Sequence, residues 1–345
     1  MDEQRKEECM KRVVVLFMSL VSVLFLCACK DDIIQRARNA DLLAESFDGK
    51  PVMRTVRSKD FEPGNMAVRY CYYEGSLYYL MPSDEGYGSY KILKYNMNSG
   101  KSSDVADVYL QKNDKYVLNS VDSLYITPDG ITVHCLIRTS GNIATDKAVI
   151  CKVTYDMDGK KKSEVRFEDY ENSAMINNCF IDSEGNSYLV TLSDDFIDSY
   201  LVKYDASGRL LCDSKLQEGM FDAVLCNDRP VAYLCGMDKD DLGYYDMETG
   251  TFGATQYADV YPKEGNSRIV GTYDENVLVM NEKRLYSYSM DSGELTALVD
   301  LEEDDIGYNS VNYVKQVSDD ELIIIYSPDS INYRIMYYGP VEDRQ

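Results

Sequence analysis

One short outline returns five times along the chain: YNMNSGK at 95–101, YDMDGK at 155–160, YDASGR at 204–209, YDMETGT at 245–251 and YSMDSGE at 288–294. Each copy has a tyrosine, then Asp, Asn or Ser, then a few turn residues and a glycine, flanked by short runs rich in Val, Ile, Leu and Tyr. Asp, Asn and Ser side chains bond their own backbone in turns, and glycine accepts the positive φ that closes them. The outline therefore predicts a tight corner between two strands. Taken alone, YDMDGK could be half of a calcium loop. A dedicated metal loop would be singular, however, and here Asp156 and Asp158 are followed by Gly159 and three lysines, 160–162, which would repel a cation.

The corner glycines, 100, 159, 208, 250 and 293, are separated by 59, 49, 42 and 43 residues. A period of about 40 to 50 residues belongs to propeller blades, each a four-stranded sheet. A second series of turns, at Gly75, Gly130, Gly185, Asp228, Glu275 and Asp320, interrupts alternating apolar stretches, and six such turns predict six blades. The unit from Met175 shows the pattern whole. MINNCFID, SYLVTLS, SYLVKYD and RLLCDSKL read as a four-stranded antiparallel meander with period-two patterning. The sixth unit lacks an outermost strand, while PVMRTVRS at 51–58 stands spare at the beginning. Pairing the two would close the ring and leave no open blade. The expected fold is all-β: a six-bladed β-propeller of four-stranded antiparallel blades over residues 51–340, about 48 residues per blade.

Ahead of it, Lys11 and Arg12 precede VVVLFMSLVSVLFL, fourteen uncharged residues from Val13 to Leu26. That is short for a membrane span of about 20 residues and right for the apolar part of a signal peptide. The run ends in LCAC, which resembles the lipobox of bacterial lipoproteins, with Leu26 third before the cut, small Ala28 last, and Cys29 after it. The resemblance implies that residues 1–28 are a lipoprotein signal peptide and that the Cys29 thiol is lipidated and becomes the new N-terminus. It also implies that 29–50 form a polar tether, and that membrane lipid at Cys29 holds the protein on the bacterial cell membrane, facing outside the cytoplasm. Taken with the repeats, the chain is similar to the surface lipoproteins of bacteria that carry propeller domains. Tryptophan is absent, so the blades lack both the Trp-Asp signature of WD-type repeats and the tryptophan docking motif of quinoprotein propellers; the Asp-box of sialidases is missing too.

Composition narrows the partners. With 59 acidic and 36 basic side chains the formal charge is -23, which repels nucleic acid phosphates, so no nucleic acid is expected. His134 is the only histidine, so every Ser-His-Asp or Cys-His arrangement would have to use it. It lies in the alternating run ITVHCLI, where a bonded or exposed strand histidine is the expectation. Seven cysteines follow Cys29, at 71, 135, 151, 179, 212, 226 and 235, with no C-x-x-C spacing to suggest zinc or a redox motif. Most read as buried thiols, with one or two disulfides between neighbouring strands possible. No phosphate-binding glycine loop stands in a strand-to-helix context, and no cofactor or metal is expected.

Propeller geometry puts the loops between second and third strands on one face with the blade-to-blade connections, opposite the tight corners. Those loops are acidic and carry aromatics. The candidate binding face is Asp84, Glu85, Tyr87, Tyr170, Asp194, Asp195, Phe196, Asp240, Asp241 and Tyr308, residue types that stack sugars or engage basic peptides. The leading expectation is a non-enzymatic, membrane-tethered binding module for a protein, glycan or peptide. Two alternatives stand beside it: a propeller hydrolase or lyase acting on a surface polysaccharide through paired carboxylates, and a scaffold subunit of an envelope or transport assembly.

Overall fold

The computed structural model describes residues 51–63, 69–83, 89–109, 116–139, 148–167, 175–193, 198–217, 220–234, 241–257, 267–273, 275–281, 284–307, 310–318, 320–329 and 332–341. Within them the repeated corners are built as turn chemistry demands. All five corner glycines have φ between 65° and 88°. The Asp156 carboxylate accepts the amides of Asp158 and Lys160, at 3.2 and 2.8 Å, and Asp205 does the same for Ser207 and Arg209, at 2.9 and 3.0 Å. YDMDGK is a hairpin corner whose first carboxylate is occupied by its own backbone.

The corners join strands in six sheets. β1 (Met53–Phe61) precedes the first complete blade, which is β2 (Arg69–Tyr73), β3 (Ser76–Pro82), β4 (Tyr90–Asn96) and β5 (Lys101–Val108). The second blade is β6 (Val117–Thr127), β7 (Gly130–Arg138), β8 (Val149–Tyr155) and β9 (Lys161–Arg166), and the third is β10 (Met175–Ile181), β11 (Ser187–Leu192), β12 (Ser199–Tyr204) and β13 (Leu210–Lys215). The fourth is β14 (Met220–Cys226), β15 (Arg229–Leu234), β16 (Asp241–Asp246) and β17 (Thr251–Ala254), followed by β18 (Ser267–Tyr273), β19 (Asn276–Asn281), β20 (Arg284–Ser289) and β21 (Leu295–Asp300) in the fifth. The sixth has β22 (Val311–Ser318), β23 (Glu321–Tyr326) and β24 (Tyr333–Pro340) from the chain's end, completed on its outer side by β1. The chain folds as a six-bladed β-propeller.

The closing strand is antiparallel to β24, with Met53 opposite Pro340 and Phe61 opposite Tyr333. It therefore runs three residues beyond the 51–58 segment expected from sequence. The extension matters, because Phe61 packs edge-on against Tyr79 and Tyr95 of the first blade, with ring centroids 5.4 and 4.9 Å away. At the other end of β1, the Val52 amide donates to the Ala297 carbonyl on β21, at 3.1 Å. One strand thus touches three blades.

The core lies between blades as apolar wedges. Tyr78, Leu80 and Ile92 of the first blade meet Leu124, Ile131, Val133, Cys135 and Val153 of the second, all buried. The repeat outline is part of this interface. Its tyrosines, 95, 155, 204, 245 and 288, are all buried, and the Tyr155 and Tyr245 hydroxyls donate to the Asp107 and Lys215 carbonyls on the preceding blade's outer strand, at 3.2 and 2.7 Å. A methyl on Gly159 would stand 1.8 Å from the Val105 carbonyl oxygen on β5, so only glycine permits that corner to press on its neighbour.

Candidate functional site

A propeller's innermost strands are edge strands around a central opening, and each presents backbone N–H and C=O groups that no ladder satisfies. Side chains reach across between blades to meet them. The Arg69 guanidinium on β2 donates to the Asp122 carbonyl on β6, at 2.6 Å, and Arg268 on β18 donates to the Val311 carbonyl on β22, at 2.8 Å. The Tyr125 hydroxyl on β6 donates to the Cys179 carbonyl on β10. In the reverse sense, the Tyr72 amide on β2 donates to the Tyr313 hydroxyl oxygen on β22, at 3.0 Å.

Between these strands is a channel of about 440 Å³, lined by residues of all six inner strands. That volume falls in the range of small-molecule sites. Five of the inner strands, β6, β10, β14, β18 and β22, carry a register shift. A bulge adds one unpaired residue, tightens the local twist and re-aims a side chain. On β6 two shifts leave Asn119 and Asp122 without ladder partners, and the second places Asp122 in the channel wall.

The channel's charge opposes that of the chain. Among the described residues its ionisable wall groups include two cations, Arg69 and Lys315, and a single carboxylate, Asp122. Burial pushes the Asp122 carboxyl up to about 6, against the lowering effects of the Ser120 hydroxyl, which donates to it at 2.8 Å, and of the Arg69 charge. Sequence patterning could not reveal this site. Asp122 looks like any other acid in a strand-like run among 59 Asp and Glu residues until the bulge is seen.

Beside the channel, between the second and third blades, His134 is fully buried with its ring tied down on both sides. Nδ1 lies 2.7 Å from Ser123 Oγ and 3.1 Å from Cys179 Sγ, and Nε2 lies 2.9 Å from Ser187 Oγ. A Cys-His nucleophile needs a thiolate beside an imidazolium. Here burial moves both groups the other way: the imidazole is lowered to about 3, helped by the Lys152 charge, and the Cys179 thiol is raised far above its ordinary range. Thiol and imidazole are neutral at physiological pH, and the cluster ties two blades together. His134 is a bonded strand histidine.

Of the ten candidate face residues, Asp241 alone is among the described ones. It begins β16 opposite Leu234, where the second-to-third-strand loop of the fourth blade ends, and its carboxylate accepts the Leu242 amide at 2.8 Å. Asp84, Glu85, Tyr87, Tyr170, Asp194, Asp195, Phe196, Asp240 and Tyr308 lie outside the described residues, as does Cys29. Cys71, Cys135, Cys151, Cys179 and Cys212 are free thiols, although Cys135 and Cys151 stand directly opposite on β7 and β8. Among the described residues no three His, Cys, Asp or Glu side chains converge as a metal site.

No family model matches the chain, and no curated protein does. Solved structures do. A glucose dehydrogenase is similar over 84% of this chain and 100% of its own, at 11% identity and a TM-score of 0.52. An α-L-arabinanase from Penicillium chrysogenum, solved with arabinobiose, is similar over 85% of this chain and 99% of its own, at 10% identity and a TM-score of 0.52. A protein of unknown function from Dyadobacter fermentans matches 85% of this chain and 100% of its own, at 10% identity and the same score. At such identities the likeness is one of fold.

Proposed function

We propose that the protein is a lipid-anchored binding module outside the bacterial cytoplasm, taking a small polar ligand in the mouth of its central channel, with the acidic, tyrosine-bearing loops of the same face extending the contact to a glycan, a peptide or a protein. The observation that carries this reading is the channel itself: about 440 Å³, walled by six inner strands, with ionisable and hydroxyl groups inside rather than a packed apolar plug. A rigid ring bearing loops at one end is the arrangement on which binding sites are commonly built.

The hydrolase alternative calls for two carboxylates about 5 to 9.5 Å apart across a scissile bond. Among the described residues Asp122 is the one carboxylate in the channel wall, so this alternative would need a second acid brought within that reach of it. Similarity of fold to an arabinanase does not supply the second group.

Two experiments test the proposal. Charge reversal of Asp194, Asp195, Asp240 and Asp241 together is expected to alter the profile of the protein on a screen of glycans, peptides and envelope proteins. An unchanged profile would remove the loop face from the reading. Mass spectrometry of the mature N-terminus is expected to find an acylated Cys29, and a Cys29→Ala chain should remain unprocessed and lose the modification.

A further inference from the structure

We infer that the channel's ligand is a small organic anion whose carboxylate or phosphate docks on the wall between β22 and β2, against Lys315 and Tyr313. This deepens the binding proposal and rests on it. Lys315 lines the channel on β22, and among the described residues its ammonium has no hydrogen-bond or ion-pair partner. A channel-wall ammonium with no protein acceptor keeps its donors available to a ligand oxyanion. Two residues earlier on the same strand is Tyr313, and the pairing is regular across that interval, with Tyr313 opposite Ile325 and Lys315 opposite Ile323. Side chains two apart on an unbulged strand share a face.

The Tyr313 hydroxyl oxygen already accepts the Tyr72 amide at 3.0 Å, so its own proton is left to be donated. Arg69, on the facing strand β2, adds a second positive charge to the same side of the ring. The wall therefore offers donors and positive charge, which fits an oxyanion and rejects a cation. The one carboxylate that the described residues place in the wall, Asp122, accepts from Ser120 on its own strand.

Across the channel the chemistry changes. In a ring of six, the third and fourth blades face the sixth and first, and there the wall presents Phe180 of β10 and Val224 of β14. An acid head on a short, weakly polar body matches both sides. A free inorganic anion would use the first and leave the second bare. The chain's charge of -23 gives such a ligand no long-range attraction, so its recognition must come from contacts inside the channel.

The test is calorimetry on the full-length protein in detergent, with glutarate, glycerol 3-phosphate, sulfate, neutral glucose and the dication cadaverine as probes. Glutarate or glycerol 3-phosphate is expected to bind, and whichever binds more tightly tells carboxylate from phosphate. Lys315→Met should weaken that binding at least tenfold, Lys315→Arg should retain most of it, and Tyr313→Phe should cost a smaller factor. Melting temperatures of the variants verify folding, with Lys315→Gln replacing Lys315→Met if the latter fails to fold. If wild-type protein binds neither organic anion, or binds them unchanged after Lys315→Met, the inference is overturned. Tighter binding of sulfate than of either organic anion would also overturn it. Channel binding of glucose or cadaverine that survives Lys315→Met would sink this inference and leave the binding-module reading standing. Failure of every probe here, together with an unchanged loop-face screen, would sink both.

Discussion

Two titratable residues, half-buried Asp122 and fully buried His134, act on stability in opposite senses. The Asp122 carboxyl holds its proton up to about pH 6 in the folded chain, but an unfolded chain releases it near 4. The folded state thus binds more protons between those values, and what this group contributes is fully present below about 4 and lost as pH rises through 6. Asp122→Asn is expected to stabilise the protein by about 2 kcal/mol at pH 7.5 and by almost nothing at pH 4, read from urea midpoints at the two pH values. His134 does the reverse. Its folded value is about 3, against about 6.5 unfolded, so its contribution is present above 6.5 and falls by about 1.4 kcal/mol for each pH unit below, down to 3. Between pH 4 and 6 the two slopes oppose one another in the natural protein. His134→Gln should flatten the acid limb, and Asp122→Asn should steepen it in that interval; a pH series of melting curves that shifts neither slope would refute the assignment of both groups.

At the scale of elements, the repeated corner is the unit of assembly. Its glycine sets the turn, its acid or amide occupies the turn's amides, and its tyrosine reaches the blade before it. Gly159→Ala forces a side chain into a left-handed φ of 81° and against the Val105 carbonyl, so a loss of about 3 kcal/mol is expected in chemical denaturation. Gly75→Ala also meets a positive φ but has open space around it, and about 1 kcal/mol should be lost there. This is also why the fold was legible. Corners depend on local chemistry, and local chemistry repeats visibly at Gly100, Gly159, Gly208, Gly250 and Gly293. The channel was not legible, because Asp122, Lys315 and Tyr313 come to line one opening only through three-dimensional ring closure and through bulges that shift register by one residue. No spacing along the chain encodes that convergence. His134 and Cys179 are 45 residues apart and adjacent in space for the same reason.

For the whole molecule, β1 decides whether six sheets make one cooperative body. It buries Met53 and Phe61, pairs along β24, and sets its Arg57 guanidinium 3.9 Å from the centre of the Tyr337 ring. Removing residues 51–61 would leave β24 as an exposed edge beside the bare flank of the first blade. The truncated chain is expected to lose more than about 3 kcal/mol of stability and to self-associate with concentration, measured by denaturation and light scattering. A monomer with unchanged midpoint would show that closure does not depend on this strand.

The same pairing also fixes where a leash would attach. Met53 stands opposite Pro340, at the end of the blade where Asp320 turns β22 into β23, so β1 enters the ring from the side of the tight corners. The twenty-two residues from a proposed acyl-cysteine at 29 to Lys50 reach at most about 79 Å. In the proposed anchored form the attachment would join the ring on the corner side, leaving the opposite opening of the channel clear of the point where the tether enters.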